Sequence, residues 1–467
     1  MRNVLDALVA AGMSAHEARA KAQIFARANA LLHAPDRAFA VFVPGRIEVL
    51  GKHTDYAGGR SLLCAAERGF CLVATPRADR RILLTDVVSG GRAEAMLDPG
   101  PAAPRAGWAV YVATVARRLA RNFTAATRGA DVVFGSDLPA AAGMSSSSAL
   151  LTSAMLALSA INELPGTDVY RAAIRTNEDL AEYLGTIENG QSFGVLEGDA
   201  GVGTFGGSED HTAMLCCRPG ELCQYRFCPV AHERQVPVPA GYRFVVGVSG
   251  VVAEKTGAAR DTYNRASLSA RAVLAAWNAA ASRADPTLAA AVESAPDAAD
   301  RIRTLLGDGA ASAGPKAAAG RSAPAARSTR SGPGAGLQPC EQDLRARFDQ
   351  FVEETFVIIP KVADLLAAGR VEEISELVER SQRGAERGLR NQVPETVFLA
   401  DAARELGAVA ASAFGAGFGG SVWALVDEER LDTFCDDWPD VYERAFPQHA
   451  ARAQFFTTAA GPAALRL

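Results

Sequence analysis

Several things this sequence lacks narrow its possible functions. No apolar run reaches the length of a membrane span, so a helical membrane protein is not expected. The first forty residues scatter Asp6, His16, Glu17, Arg19, Lys21 and Arg27 among alanines. That is an amphipathic helix pattern and not a signal peptide. The formal net charge is −5, so there is no basic field to recruit nucleic acid or a membrane surface. The eight cysteines, at 64, 71, 216, 217, 223, 228, 340 and 435, form no Cys-x-x-Cys pair and no Cys/His cluster with zinc spacing. Unpatterned cysteines fit a reducing compartment, and a cytoplasmic location is expected. No internal repeat is visible, and no Walker A motif occurs, because no Gly-Lys-Ser/Thr closes a glycine loop. What remains is an ordinary soluble composition, 49% hydrophobic and 22% charged, over 467 residues, a length that favours two or more domains.

The chain is organised around Asp137-Leu138-Pro139-Ala140-Ala141-Ala142-Gly143-Met144-Ser145-Ser146-Ser147-Ser148. The run Ala130 to Phe134 before it reads as a strand, and Ala149 to Ile161 after it as a helix. Helix N-termini present free N–H groups and partial positive charge, so they bind phosphate. Small residues let an anion approach the backbone, and serine hydroxyls donate to phosphate oxygens or ligate a metal. One serine would be an ordinary N-cap. Four in succession exceed what capping needs, and the loop reads as an anion site.

Elsewhere, residues 4–33 read as one or two helices. Ala38–Val43 reads as a short strand broken by Pro44-Gly45-Arg46. Ser61–Ala66, Gly69–Thr75, Arg81–Val88, Thr212–Cys217, Cys223–Cys228, Tyr242–Ser249 and Val422–Val426 also read as strands. Helical spacing is found at Trp108–Phe123, Asp168–Leu184, Lys255–Ala280, Gln342–Thr355, Ile359–Ala368, Val371–Arg387 and Glu395–Leu406. Residues 308–339 are low in complexity, rich in Gly, Ala, Pro and Ser, and are expected to form a disordered surface insertion.

Three loops then need a common purpose: one carrying Arg46, Lys52, His53 and Asp55, the serine loop, and Gly415 to Ser421. In this order they resemble the three motifs of the GHMP kinases. Pro44-Gly45-Arg46 followed by Gly51-Lys52-His53-Thr54-Asp55-Tyr56 and Gly58-Gly59 resembles the galactokinase branch. Trp108-Ala109-Val110-Tyr111-Val112, Glu188-Asn189, Gly207-Ser208-Glu209-Asp210-His211 and Tyr263-Asn264-Arg265 extend the resemblance. Residues 1–30 and about 280–340 fall outside it. The chain departs from the family at Glu48, where Asn is usual, at Lys52, where an acid is usual, at Ala140-Ala141-Ala142, and at His211, where Gln is usual.

The resemblance implies an α+β protein of two domains. A ribosomal S5 domain 2-like N-terminal domain is expected over 1–210 and a ferredoxin-like C-terminal domain over 211–467. It implies a sugar 1-kinase using ATP and Mg²⁺, acting on galactose or a related monosaccharide, as a monomer or weak homo-oligomer. By the resemblance, Asp210 is the catalytic aspartate, with Asp199 as runner-up, and Arg46 its partner. Gly143, Met144, Ser145, Ser146 and Ser147 meet the nucleotide, and Ser147 and Glu188 hold the metal. Lys52, His53, Asp55, Gly207 and Tyr263 contact the sugar, and Gly417, Gly419 and Gly420 fit a loop closing on the sugar or phosphate side. Because an ammonium cannot accept a hydrogen bond, Lys52 raises the alternative of a sugar altered at C6, such as a uronic acid. A sugar- and ATP-binding regulator without turnover is the other alternative.

Overall fold

In this computed structural model, residues 2–32, 38–100, 107–252, 260–307 and 341–467 are described, and the expected insertion at 308–339 lies outside them. The strands in chain order are β1 (Phe39–Leu50), β2 (Arg60–Pro76), β3 (Arg81–Asp86), β4 (Arg92–Met96), β5 (Ala130–Ser136), β6 (Glu221–Arg226), β7 (Ala231–Pro237), β8 (Tyr242–Val248), β9 (Ala410–Phe414), β10 (Ser421–Asp427), β11 (Gln454–Thr458) and β12 (Leu465–Arg466). They form two sheets. The larger runs β12-β1-β2-β5-β3-β4, with β6 on the other half of β2 and β7 beyond β6. The smaller is the antiparallel β11-β8-β10-β9.

Period-two alternation explains why the larger sheet is covered on both faces. Val41, Val43, Leu72, Ala74, Val132 and Phe134 face one core, with the helices Ala109–Asn122 and Ser146–Ile161. Phe42, Cys71, Val73 and Val133, one residue out of step, pack with Leu8, Ala18 and Phe25 of the helices Arg2–Ala10 and Ala15–Asn29. In the smaller sheet, Val245, Val422, Ala424 and Val426 pack on Leu399, Trp438 and Tyr442. Its other face, including Phe244, Val246, Phe414, Trp423 and Leu425, joins the core of the larger sheet. The two sheets therefore share one continuous apolar interior, and a cleft opens where their loops meet.

The expected break at Pro44-Gly45-Arg46 does not occur. β1 runs through it, with a register shift between Pro44 and Arg46 that slips the pairing from Gly69 to Ala65. A bulge tolerates proline's missing N–H and re-aims the following side chain. Gly69 makes the close approach possible, because a Cβ there would strike the Val43 carbonyl. Thr212–Cys217 is not a strand either: Glu209–Cys216 is a helix after Ser208, with Glu209 and Asp210 in its first turn. A short apolar run cannot separate the two states, and acids at a helix N-terminus favour the helix. Asp168–Leu184 is split into Asp168–Ala173 and Asn177–Asn189, the second capped by Thr176. The boundary expected at 210/211 falls inside the helix Glu209–Cys216, and β6, β7 and β12, all later in the chain, belong to the larger sheet.

Candidate active site

Just past the register shift in β1, where the surplus residues lie on β2, Arg46 reaches the first turn of Glu209–Cys216. Both its Nε and Nη2 lie 2.8 Å from Asp210 Oδ1, and Nη1 donates to the Gly143 carbonyl. Two residues 164 positions apart and the serine loop are thus joined through one buried guanidinium. Burial opposes its charge, but Asp210, Glu48 and Glu209 outweigh that and raise its pKa. The other oxygen of Asp210 is 3.2 Å from Ser148 Oγ, which also lies 3.0 Å from Glu188 Oε2. A hydroxyl has one proton, so Ser148 donates to one carboxylate at a time. His211 Nε2 is 3.2 Å from the same Glu188 oxygen, and its Nδ1 is 3.1 Å from Thr152 Oγ1.

Two clefts flank this centre. The first is lined by Arg46, Glu48, His53, Asp55, Tyr56, Glu188, Gly206, Gly207, Glu209, Asp210, Tyr263, Gly415 and Ala416. Asp55 Oδ2 accepts from Glu209 N at 3.2 Å, so it caps the helix that carries Asp210. Gly207 has to be glycine, because a Cβ would strike the Asp55 carboxylate. His53 has φ 58, with Nδ1 3.1 Å from Tyr56 Oη and Nε2 3.2 Å from the Ala416 carbonyl. A carbonyl only accepts, so Nε2 carries the proton. The Tyr263 ring lies 5.6 Å from the His53 ring.

The second cleft is lined by Phe70, Trp108, Tyr111, Ala141, Gly143, Ser145, Ser146, Ser147, Leu150 and Ala416. Gly143 adopts φ 75 and Ser145 φ 59, which turns the chain into the 16-residue helix Ser146–Ile161. Ser145 Oγ is buried with no hydrogen-bond partner among the described residues. An orphaned hydroxyl beside free helix N–H groups suits a phosphate oxygen, and the aromatic wall suits a nucleobase. Met144 is buried, and its carbonyl accepts from Arg46 N at 3.4 Å.

Lys52 does not reach either cleft. Its ammonium is buried and 3.0 Å from Ser381 Oγ, which in turn donates to Glu354 Oε1 at 3.0 Å. The carboxylate that does line the first cleft from this motif is Glu48. Asp199 lies outside both clefts and pairs with Arg117 at 2.6 Å. In the third loop, Gly415 and Ala416 border the clefts, whereas Gly417 and Gly419 back onto Asn391 and Val251, and Gly420 onto Ala142. Ser148, Glu209 and the aromatic wall of Phe70, Trp108 and Tyr111 were not singled out as site residues from the sequence. The helical Trp-x-x-Tyr spacing was the available signal for the last two.

Three family models match in order: the galactokinase galactose-binding signature over residues 30–76, the GHMP kinases N terminal domain over 110–207, and the GHMP kinases C terminal over 362–444. A galactokinase from Roseiflexus sp. is 26% identical over 87% of this chain and 88% of its own length. The chain belongs to the galactokinase family of the GHMP kinases. A second family member, the galactokinase of Chloroflexus aggregans, is 29% identical over 44% of this chain and about half, 48%, of its own length. The solved galactokinase of Lactococcus lactis, complexed with galactose, superposes with a TM-score of 0.72 at 20% identity, covering 96% of this chain and 100% of that one. A Lin0012 protein from Listeria innocua follows at TM-score 0.52 and 12% identity, over 92% and 99%. The GHMP kinase fold supports phosphotransferase activity in general.

Among the described residues, no group of three or more His, Cys, Asp or Glu side chains forms a self-sufficient metal site. A galactokinase-family site does not need one. Mg²⁺ keeps few protein oxygens and is completed by nucleotide phosphates. The half-buried Ser147 hydroxyl and the Glu188 carboxylate, both on the cleft walls, are hard oxygen donors that fit such a site.

Proposed function

We propose that the protein is an ATP-dependent sugar 1-kinase, transferring the γ-phosphoryl group of ATP to the anomeric hydroxyl of galactose or a related monosaccharide. The observation that carries this reading is the Arg46–Asp210 ion pair at 2.8 Å, placed between the serine-loop cleft and the cleft of the galactose-binding signature. The serine loop and helix N-terminus hold the phosphates, with Trp108, Tyr111 and Phe70 against the base. Asp210 receives the proton of the anomeric hydroxyl as its oxygen attacks phosphorus, and ADP departs. Arg46 fixes the carboxylate and lies on the side where phosphoryl charge develops. Ser147 and Glu188 would hold Mg²⁺, which when bound offsets phosphate charge. His53, Asp55, Gly207 and Tyr263 surround the sugar. The half of the chain built on the larger sheet is assigned as S5 domain 2-like and the smaller sheet as ferredoxin-like.

The burial of Lys52 removes the reason for a uronic acid substrate, because its ammonium is not available to pair with a sugar carboxylate. The test is an ADP-release screen over D-galactose, D-galacturonate, L-arabinose and L-fucose, with Asp210→Ala as control. Turnover of galactose or a neutral relative, abolished in the variant, supports the reading. Full activity in Asp210→Ala overturns the assignment of the base. Binding of ATP and sugar without ADP release turns the protein into a regulator.

A further inference from the structure

One buried imidazole beside the site takes no part in the phosphoryl transfer just described. His211, where Gln is usual in the family, is 1% exposed and follows Asp210 in the first turn of Glu209–Cys216. It stands where three helices meet. Ser148 and Thr152 come from Ser146–Ile161, and Glu188 comes from the last turn of Asn177–Asn189. Gly185, three residues before Glu188, permits the approach, because a Cβ there would come within 2.9 Å of the Gly207 carbonyl.

Both ring nitrogens of His211 are used. Nε2 lies 3.2 Å from Glu188 Oε2, and Nδ1 lies 3.1 Å from Thr152 Oγ1. A carboxylate that holds a cation is ionised and only accepts, so Nε2 carries a proton and donates it to Glu188. Ser148 Oγ reaches the same oxygen at 3.0 Å, but its single proton is divided between Glu188 and Asp210. His211 Nε2 has Glu188 as its one hydrogen-bond partner among the described residues. The ring is therefore the donor committed to this carboxylate, and Thr152 holds its other end. Carboxylates that bind a metal are themselves held by hydrogen bonds, and losing such a bond typically weakens metal binding about 10–100-fold.

Building on the sugar-kinase reading, in which Ser147 and Glu188 would hold Mg²⁺, we infer that His211 is a positioning residue for the metal-binding carboxylate. Its Nε2 proton fixes Glu188 Oε2, and with it the direction in which the carboxylate meets the cleft. With Glu188 served by the ring, the Ser148 proton is available to Asp210. One side chain thus supports both the metal ligand and the base without touching the substrate.

Two amide variants separate this role from packing. Gln places its amide nitrogen about where His Nε2 stands, and Asn about where Nδ1 stands. His211→Gln therefore keeps the donor to Glu188 and gives up Thr152, and His211→Asn does the reverse. The readout is the affinity for Mn²⁺ of the protein–ATP complex, taken without sugar by electron spin resonance. His211→Asn is expected to weaken it about tenfold or more, and His211→Gln to keep it within about threefold. In Glu188→Gln, which has already lost the ligand, adding His211→Asn should cost less than about twofold, because the two act as one unit. Asn at wild-type affinity, Gln as weak as Asn, or the tenfold loss repeated on the Glu188→Gln background reduces His211 to packing and overturns the inference. A wild-type complex that takes up no Mn²⁺ also overturns it. A measurement on wild type covers a variant that does not fold. In ¹⁵N-His-labelled protein, the Nε2–H signal of His211, identified by its loss in His211→Gln, should shift when Mg²⁺ joins the ATP complex. No shift overturns the inference. Sugar phosphorylation is scored separately. Galactose turnover with an Mn²⁺ affinity indifferent to residue 211 removes this inference and leaves the kinase reading. The expected Mn²⁺ pattern without turnover of any sugar keeps the inference and removes the kinase reading.

Discussion

The two clefts that meet at Ala416 are made of different materials. The serine-loop side is backbone and small side chains: Gly143, Ser145, Ser146 and Ser147 at a helix N-terminus, walled by Trp108 and Tyr111. The side proposed for the sugar is a charge network, in which Arg46, Glu48, Asp55, Glu209 and Asp210 converge from three separate segments. Backbone geometry follows from residue type, because glycine and serine report local conformation and capping directly. The direction of a buried charge follows from what the rest of the fold places around it, and that is a long-range property.

The largest effect should come from breaking the charged side alone. Asp210→Ala is expected to lower kcat by about 10²–10⁴-fold while leaving ATP affinity by calorimetry within a few-fold, because a general base acts on transfer and not on nucleotide binding. Equal loss of ATP binding would show that the two sides are not separable. Lys52→Met comes next. It removes the buried cation that bonds Ser381, whose hydroxyl in turn donates to Glu354, and should cost about 3 kcal/mol in denaturant unfolding. The ranking of sugars should stay unchanged. A switch in sugar preference with stability intact would put Lys52 back at the substrate.

A comparable effect should appear in stability against pH. Glu48 is held above its unfolded value, so its contribution favours folding below the unfolded pKa and is lost as pH rises through about 7. Compared with Glu48→Gln, wild type should lose roughly 3 kcal/mol between pH 4.5 and 7.5, at about 1.4 kcal/mol per unit of pKa difference. A wild-type stability that holds constant relative to Glu48→Gln, or that rises with pH, contradicts the sign. The smallest effect is on the other cleft. Trp108→Ala should raise the KM for ATP about tenfold, roughly 1.4 kcal/mol of lost aromatic contact, with the KM for sugar unmoved.

The same contrast explains what could be read from the sequence. The serine loop, the Arg46–Asp210 pairing, and the placing of His53, Asp55, Gly207 and Tyr263 at one cleft were expected, and the structure brings those residues together. Lys52 was placed at the sugar because its motif neighbours are there. Its side chain instead turns to Ser381, a partner 329 residues away that no local pattern reveals. Pro44-Gly45-Arg46 reads locally as a break, yet the pairing with β2 carries the strand across it as a bulge. Thr212–Cys217 reads as a strand until Ser208 and the acids of the first turn are seen to start a helix. Ser148 was not singled out from the sequence, yet its hydroxyl lies between Glu188 and Asp210. For Lys52, for the strand through Pro44 and for Ser148 a distant partner decided the outcome, whereas for Thr212–Cys217 the residues just before it did.

The most direct test of the account is the position of the transferred phosphate. Purified protein with ATP, Mg²⁺ and D-galactose, followed by ¹H–³¹P correlation spectroscopy, should yield ADP and a sugar phosphate whose phosphorus couples to the anomeric proton. That product should vanish in Asp210→Ala. Phosphate on any other hydroxyl, or the same product formed at the wild-type rate by Asp210→Ala, would contradict it.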